Sequence, residues 1–387
     1  MLVEHALQYE NLSASEVAKR TGISQPTVSR VLKKMQVIKL GAGRSSLFAR
    51  VNSLQGLSLY QVSGLGQFQC VGNLYRQPEN RSVLVNANET NRYVAYDGLP
   101  FYLYDALPAG FLGSILLNEI IKNDALLTAK SQDWNDEQVL HYLRHYGADL
   151  VGNLVLGSQM ANLAAELAFN KVSRQDYSVM TRSIHNLPQN CGSSVAGEQP
   201  KFTTYNGDSH LIVKYSPPIS ESNAVATRHR DLMVCEHLAL KALNAANITA
   251  AESELYVDDR FYLEVKRFDR EGEFGRKGMV SLKSIDAEYV GKGGNWVGIA
   301  KQLLLLGLIS ENDVEQVEIA YAFGRYIANT DMHNGNFSFF MEDLKLTGVT
   351  PVYDMLPMAF MPVQGELRSP DFFVARFVDV SVQSNQT

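Results

Sequence analysis

Apolar residues in the first fifty positions recur first with helical spacing and then with the alternation of strands. The pattern predicts short helices over residues 2–9, 15–20 and 25–35. Ser13 is followed three positions later by Glu16, a capping box that favours a helix start at this point. Residues 37–51 alternate around a Gly-Ala-Gly turn, which indicates a β-hairpin. We therefore expect three short helices followed by a hairpin.

Residues 13–35, SASEVAKRTGISQPTVSRVLKKM, together with this hairpin resemble a winged helix-turn-helix, whose second motif helix enters the DNA major groove. The candidate base or phosphate contacts are polar residues of the third predicted helix and of the hairpin: Gln25, Thr27, Ser29, Arg30, Lys33, Lys34 and Arg44. The alternative is a helical adaptor whose charged residues are only solvated. The sequence thus predicts a DNA-binding head, which comprises residues 1–55.

The distribution of charge separates this head from the rest of the chain. Residues 1–52 hold eight Lys or Arg and three Glu, a net charge of +5, whereas the remaining residues carry −11. Since DNA is a polyanion, only the basic head is expected to approach it.

The chain of 387 residues is long enough for two or three domains, and its 45% hydrophobic and 20% charged residues are typical of a globular protein. Its three cysteines lie far apart, so neither a disulfide framework nor a C-x-x-C metal site is indicated. No apolar run reaches the roughly eighteen residues of a membrane span, and the N-terminus lacks the pattern of a signal peptide. We expect a cytoplasmic protein with no membrane partner.

Residues 58–115 carry β-rich alternation of apolar residues, with predicted strands at 57–62, 68–75, 82–85 and 92–100 that Gly and Asn turns separate. They predict a small β-rich domain over residues 56–125, to which no chemistry is assigned. From residue 110 to 169 the apolar period becomes helical.

A loop rich in small residues precedes an apolar strand that contains a lysine. Residues 189–202 include two glycines, which let backbone amides approach phosphate oxygens, and Lys214 lies in the strand that follows. Kinases use such a strand lysine to bind the nucleotide phosphates, whereas the alternative is an edge lysine that reaches solvent. A long helix predicted over residues 223–246 carries Asp231 and Glu236, and either could pair with Lys214.

A polar loop follows the apolar period that starts at Tyr321. It holds Asp331 and Asn336, separated by four residues, and a short apolar strand comes next. Asp354 is predicted to end a further strand. Kinases use this constellation to orient a hydroxyl and to hold magnesium on the nucleotide phosphates, and hard oxygen ligands suit that ion. Taken alone, the loop is also explained by an Asx-turn.

The order of these features, with the segments SVAGEQPKF, LIVKY, EVKRFDR, NTDMHNGNFSF and TPVYDMLPM, resembles the HipA-like serine/threonine kinases of bacterial toxin–antitoxin systems. The resemblance implies that Asp331 is the catalytic base and that Asn336 and Asp354 hold Mg²⁺. Lys214 is then the phosphate-binding lysine. Further contacts with ATP are implied for the Gly-rich loop and the end of the strand near residue 265: Ser194, Val195, Ala196, Gly197, Lys266 and Phe268.

The resemblance also implies regulation by autophosphorylation. Ser194 occupies the register of the loop serine whose phosphorylation expels the loop and switches the kinase off, and Ser193 is a second candidate. The implied protein is an ATP- and Mg²⁺-dependent kinase toxin that phosphorylates a serine or threonine of a protein substrate. An antitoxin is a further expected partner.

Combined with the head, these features predict an α+β chain of four parts. They are a winged helix-turn-helix over residues 1–55, a small β-rich domain over 56–125, and the two lobes of a kinase-like body over 126–265 and 266–387. Two features depart from the family. Only 33 residues follow Asp354, so the C-lobe is expected to be shortened. The head is fused to the body, so an operator-binding or antitoxin role is expected to be partly internal.

Two other functions fit parts of the pattern. One is a DNA-binding regulator whose kinase fold is degenerate or senses a ligand, and the other is a magnesium-dependent nuclease. A nuclease needs neither a nucleotide-clamping lysine nor a loop serine, so Lys214 and Ser194 favour the kinase. His333 has no second His or Cys at ligand spacing and is expected to pack in its loop rather than bind a metal.

Overall fold

The head consists of three helices and a hairpin, as its pattern predicts. The structure is a computed structural model that describes residues 2–43, 46–89, 91–185 and 199–367. Its first elements are α1 (Leu2–Ala6), α2 (Ala14–Thr21), α3 (Gln25–Leu32), β1 (Val37–Leu40) and β2 (Leu47–Arg50). Ser13 and Glu16 form the predicted capping box, and Gly22 ends α2 in the left-handed conformation. Helices α1 and α3 each end three residues earlier than predicted.

The hairpin of the head packs directly on the next sheet of the chain. Leu40 and Ala49 of the hairpin are fully buried together with Val83 of that sheet. Beside them Gln77, only 1% exposed, donates a hydrogen bond to Asn11 Oδ1 over 2.7 Å. The head is therefore held by a shared apolar core and not only by the chain that connects it.

Five of the described strands form the sheet on which the head rests. They are β3 (Leu57–Val62), β4 (Phe68–Arg76), β5 (Arg81–Asn86), β6 (Tyr93–Asp97) and β7 (Leu154–Leu156), in the antiparallel order β6-β5-β4-β3-β7. The four strands expected from residue 57 to residue 100 are confirmed, whereas the β-rich pattern expected to continue to residue 115 gives way to helical structure at residues 101–104 and from residue 110. Strand β7 comes from beyond residue 125, where the sequence places a domain boundary, and the boundaries themselves stay predictions.

Helices connect this sheet with the second half of the chain. They are α4 (Phe101–Tyr104), α5 (Gly110–Ile121), α6 (Asp136–Tyr146), α7 (Ser158–Ala165) and α8 (Tyr177–His185). Leu74 of the sheet and Tyr142 of α6 belong to the same apolar cluster as Ile285 and Trp296 much later in the chain. Burial of this continuous apolar surface joins the two halves of the molecule.

The segment that contains Lys214 forms a four-stranded antiparallel sheet and one long helix. The elements are β8 (Lys201–Tyr205), β9 (His210–Tyr215), α9 (Ala224–Ala245), β10 (Ser253–Val257) and β11 (Phe261–Lys266), and the sheet order is β10-β11-β9-β8. Asn223 caps α9, since its side chain accepts a hydrogen bond from the Ala226 amide. The long helix predicted over residues 223–246 is confirmed.

The remaining described elements build the second part of the body. They are β12 (Arg270–Glu271), β13 (Gly275–Arg276), β14 (Gly278–Ser281), α10 (Leu282–Tyr289), α11 (Trp296–Leu305), α12 (Glu311–Tyr326), β15 (Ser338–Glu342) and β16 (Lys345–Val349). Strands β14, β15 and β16 form an antiparallel sheet in that order. In the ranges described, no helix combines the length and apolar character needed to cross a bilayer. The cytoplasmic location stays a prediction.

One expectation about this region is wrong, because Asp354 does not end a strand. Strand β16 stops at Val349, and Pro351 then follows, which has no N–H to donate to a ladder. Asp354 lies five residues beyond the strand in an irregular segment, with a positive φ of 55°. Asp is among the few residues that tolerate this left-handed conformation.

Candidate active site

Lys214 lies on an interior strand of the four-stranded sheet. Its directly paired neighbours are Lys201 on β8 and Leu263 on β11. Because directly paired residues point to the same face of a sheet, all three side chains share one face. Lys214 is 5% exposed, so it is not an edge lysine that reaches solvent.

Glu236 of α9 is the partner of this lysine. The Lys214 ammonium donates to both carboxylate oxygens of Glu236, over 2.6 and 2.8 Å. Glu236 is 1% exposed, whereas Asp231 lies on the exposed side of the same helix. The structure thus decides between the two carboxylates that the sequence left open.

The same ammonium also reaches Asp354. Lys214 Nζ donates to Asp354 Oδ1 over 2.5 Å. An ammonium has three N–H donors, and in this arrangement all three are used by Glu236 and Asp354. Lys214 is thus shared between the carboxylate of α9 and the Asp354 segment.

The charges of this triad shift one another's protonation. The Lys214 ammonium lowers the pKa of Asp354 to about 2, although burial opposes the shift. Burial raises the pKa of Glu236 above its ordinary value in spite of the nearby ammonium. Burial alone would lower the pKa of Lys214, but Asp354 and Glu236 outweigh it and leave that pKa raised. Lys214 and Asp354 are therefore both charged at neutral pH.

Helix α12 delivers the polar loop to this triad. The helix ends with a Schellman motif, in which Ala328 takes a φ of +58° and the Asn329 amide donates to the Gly324 carbonyl over 2.9 Å. Met332 packs closely on Gly324, where a Cβ would lie 2.6 Å from Met332 Sδ and the methionine side chain would have to move. The chain then turns back across the helix end.

Asp331 and Asn336 occupy this loop as the sequence predicts. The Asn336 side-chain nitrogen donates to the Asp331 carbonyl over 2.9 Å, which leaves the amide oxygen as a potential ligand. On the far side of the loop, Trp296 of α11 donates to the His333 carbonyl over 3.1 Å. The loop is thus attached both to itself and to the neighbouring helix.

Asp331 and His333 are both exposed. Desolvation raises the pKa of Asp331, His333 opposes the shift and Asp354 adds to it. His333 Nδ1 accepts a hydrogen bond from the Gly335 amide over 3.0 Å, which agrees with the role in loop structure expected for this residue. A raised pKa makes the Asp331 carboxylate a better proton acceptor than an ordinary aspartate.

The oxygen atoms present suit magnesium. Asp354 supplies a carboxylate and Asn336 an amide oxygen, and Mg²⁺ is commonly bound by one or two carboxylates together with phosphate and water. Across the described part of the chain no cluster of three His, Cys, Asp or Glu residues could hold a metal by itself. A metal at Asp354 would therefore need further ligands from phosphate and water.

Of the two predicted nucleotide contacts on and after β11, Lys266 lies away from the triad and Phe268 lies close to it. Lys266 lies three positions after Leu263 on β11 and is paired with Leu211. Since side chains alternate between the two faces of a sheet, Lys266 lies on the face opposite to that of Leu263 and Lys214. Its ammonium donates to Glu252 over 3.2 Å. Phe268 packs against Tyr353, with ring centroids 5.6 Å apart, and so lies next to the Asp354 segment.

The other predicted contacts divide into two groups. Outside the described residues lie Ser193, Ser194, Val195, Ala196, Gly197 and Arg44. The predicted DNA contacts of the head are exposed, except for Ser29, which is half-buried: Gln25, Thr27, Ser29, Arg30, Lys33 and Lys34. Val28 and Leu32 occupy the inner face of the same helix, which is buried.

The sequence predicts no function for two residues that the structure places in the site. Lys201 lies opposite Lys214, and its charge contributes to the lowered pKa of Asp354. Asn329 is 6% exposed and bonds to the Asp331 loop and to the Asp354 segment. Lys201 is the second-last residue of the segment SVAGEQPKF and Asn329 is the first residue of NTDMHNGNFSF, but only the strand register and the helix end reveal their positions.

Known protein families match two parts of this chain. The HipA-like C-terminal domain matches residues 193–384, which include the triad and the polar loop. The middle domain of the YjjJ-like toxins matches residues 53–165, which include the sheet under the head. Toxin YjjJ of Escherichia coli K12 is 32% identical over 367 residues, which cover 90% of this chain and 81% of that protein.

A solved structure supports the fold. HipA of Shewanella oneidensis MR-1, determined in a complex with HipB and operator DNA, superposes with a TM-score of 0.52. The match covers 80% of this chain and 78% of HipA at 17% identity, so it supports the mixed α+β fold and nothing finer. The expected resemblance to HipA-like proteins is confirmed. With both domain matches and 32% identity to toxin YjjJ over most of its length, this chain belongs to the YjjJ-like family of HipA-like toxins.

Proposed function

We propose that the chain is an ATP- and Mg²⁺-dependent serine/threonine protein kinase that acts as a toxin. The observation that carries the proposal is the triad, in which one buried lysine joins Glu236 of a helix to Asp354 beside the Asp331 loop. A nuclease would have no use for this lysine. Kinases require a strand lysine paired with a helix glutamate and a metal-binding aspartate in place at once.

The proposed reaction transfers the γ-phosphoryl group of ATP to a serine or threonine hydroxyl. Asp331 accepts the hydroxyl proton, the substrate oxygen forms a bond to phosphorus, and the bond to the β-phosphate oxygen breaks to release ADP. Lys214 neutralises phosphate charge once it has released Asp354. Asp354 and Asn336 would hold Mg²⁺, which when bound neutralises charge on the phosphates.

Binding of Mg-ATP is expected to stabilise the folded chain. At a hundredfold excess over Kd the gain is roughly 2.7 kcal/mol. Asp354→Asn should abolish the magnesium-dependent part of the stabilisation, because the amide loses the charge that attracts the ion. Asn is preferred to Ala here because it tolerates the left-handed backbone. Thermal unfolding with ATP, with Mg²⁺ and with both measures the effect.

The control for this experiment is Asp258→Ala, which removes an exposed carboxylate from the turn between β10 and β11. It should respond to Mg-ATP as the wild type does. If millimolar Mg-ATP does not change the unfolding temperature of the wild-type chain, the proposed activity is excluded. The alternative function, a DNA-binding regulator whose kinase fold is degenerate, would then be favoured.

We propose that the head is a winged helix-turn-helix that binds DNA through α3. Its support is the exposed polar face of that helix, together with the +5 charge of residues 1–52. HipA of Shewanella oneidensis was solved with HipB and operator DNA. By analogy an antitoxin and an operator are the proposed partners of this chain, with part of the DNA contact supplied by its own head.

DNA affinity is expected to fall steeply with salt concentration. If Arg30, Lys33, Lys34 and Arg44 meet phosphates, log K should fall with log[salt] at a slope of roughly −3 to −4. Lys33→Ala should weaken binding to all sequences alike and reduce the slope by about one, because it removes one phosphate contact. Fluorescence anisotropy of the full chain with random and operator DNA measures both quantities.

The full chain is needed because the hairpin shares a core with the sheet behind it. Lys122→Ala removes an exposed lysine outside the head and serves as the control, with no expected change in slope. If the DNA affinity does not vary with salt concentration, DNA binding by the head is contradicted and the helical adaptor is the better interpretation.

A further inference from the structure

The end of α12 places one buried amide side chain between the two acidic residues of the site. Asn329 follows Ala328, whose backbone is left-handed. The backbone N–H of Asn329 donates the Schellman hydrogen bond to the Gly324 carbonyl. The left-handed conformation costs a non-glycine residue such as Ala328 roughly 1–2 kcal/mol, so the rest of the structure must hold the chain there. The result is that Asn329 points inward and is 6% exposed.

Both ends of this side chain are bonded to functional segments. Its Oδ1 accepts a hydrogen bond from the Asp331 amide over 3.0 Å, which is an Asx-turn. Its Nδ2 donates to the Asp354 carbonyl over 3.4 Å and lies 3.7 Å from Met355 Sδ. One side chain therefore joins the backbone at the proposed base to the backbone at the proposed metal ligand.

Two further contacts join the same segments, but neither bonds to the backbone of Asp331 or Asp354. The Tyr353 hydroxyl donates to the Gly335 carbonyl over 3.0 Å, and the Ala359 amide donates to the Ala328 carbonyl over 3.0 Å. These two contacts join the segments at residues other than the two acids. The spacing between the two acids themselves depends most directly on Asn329.

We propose that Asn329 is a positioning residue that sets the Asp331 loop and the Asp354 segment in register for phosphoryl transfer. The proposal rests on the function proposed above. Neither bond reaches a side-chain carboxylate, so Asn329 does not take part in proton transfer or metal binding itself. It acts through the backbone, where a displacement of about 1 Å can cost about a hundredfold in rate.

The test compares two substitutions at this position with a matched control. Asn329→Ala removes both bonds, whereas Asn329→Ser keeps an oxygen that can accept from the Asp331 amide but cannot reach Asp354. Asn153→Ala is the control, since Asn153 is also buried, at 4% exposure, and donates to the Val62 carbonyl away from the site.

The expected kinetic result is a loss in kcat with little change in KM for ATP. Asn329→Ala should lower kcat by about a hundredfold and Asn329→Ser by about tenfold. A fall in kcat with little change in KM is the signature of an interaction that matters in the transition state. Equal losses in Asn153→Ala would show a general effect of removing a buried amide and overturn the proposal.

Hydrogen exchange followed by mass spectrometry supplies a second result that needs no activity. In Asn329→Ala, peptides covering residues 327–336 and 352–360 should both exchange faster, and in Asn153→Ala neither should change. If only one of the two segments responds, Asn329 does not couple them and the proposal fails. If the wild-type chain transfers no phosphate, the proposed function falls, and exchange alone then decides whether Asn329 couples the segments.

Discussion

Asp331→Asn is expected to lower phosphoryl transfer by about 10²–10⁴-fold, the usual contribution of a positioned general base. The amide has the shape of the carboxylate but cannot take the proton of the substrate hydroxyl. Stabilisation by Mg-ATP should remain, because the proposed metal ligands are Asn336 and Asp354. The measurement is the rate at which phosphate appears on Ser194 or Ser193 by mass spectrometry after incubation with ATP.

Asp343→Asn is the control, since Asp343 is an exposed residue of the turn between β15 and β16 and has a left-handed backbone that Asn accepts. It should incorporate phosphate at the wild-type rate. Equal phosphate on the wild-type and Asp331→Asn chains would mean that the modification is not autocatalytic.

The same experiment tests the regulatory site. Phosphate found only on Ser193 would move the proposed site by one residue. A phosphoserine adds nearly two negative charges to a loop that is proposed to approach phosphates. The modified chain should therefore bind ATP more weakly than the unmodified chain.

Lys214→Met is expected to destabilise the fold by about 3–5 kcal/mol, the range for breaking a buried ion pair by removal of one partner. Methionine has a similar length but leaves the Glu236 and Asp354 carboxylates without their common cation. Nucleotide binding should also be lost. Urea denaturation of the full chain at neutral pH measures the stability, and thermal unfolding with Mg-ATP measures the binding.

Lys241→Met is the control, because it removes an exposed lysine from the same helix as Glu236. It should leave both stability and nucleotide binding unchanged. If Lys214→Met does not fold, the double variant with Glu236→Leu replaces two buried charges by apolar groups and should recover part of the stability. Wild-type stability in Lys214→Met would contradict the role of the triad.

The triad also predicts a dependence of stability on pH. The lowered pKa of Asp354 stabilises the folded chain above the ordinary value of 3.8, and this contribution is lost as the pH falls towards about 2. Glu236 acts in the opposite direction, because its pKa is raised. In Lys214→Met the loss of stability attributable to Asp354 below pH 3.8 should disappear.

Local features of the fold could be predicted because each depends only on residues that are neighbours in the sequence. The capping box at Ser13, the hairpin after α3 and the long helix α9 each follow from a pattern within one segment. Asp231 and Glu236 both lie on α9 and both have suitable chemistry. Five residues in a helix turn by about 140°, so only the packing of the helix decides which of them faces Lys214.

Other features depend on contacts between distant segments and have no local signal. The pairing of Lys201 with Lys214 is a matter of strand register, and a shift by one residue would place Lys201 on the other face. The break before Asp354 has a local cause in Pro351, which has no N–H to donate to a strand ladder. The role of Asn329 depends on how a helix end meets a segment more than twenty residues away.

The common core of Leu40, Ala49 and Val83 affects how this protein can be recombined with others. A head taken from another regulator would bring a hairpin that does not match the surface of the strand that carries Val83. Such a chimera would expose apolar residues on both sides of the junction and would be prone to aggregate. The DNA specificity proposed for the head is therefore expected to be exchanged by replacing only the outer residues of α3, or by transferring the hairpin together with the sheet beneath it.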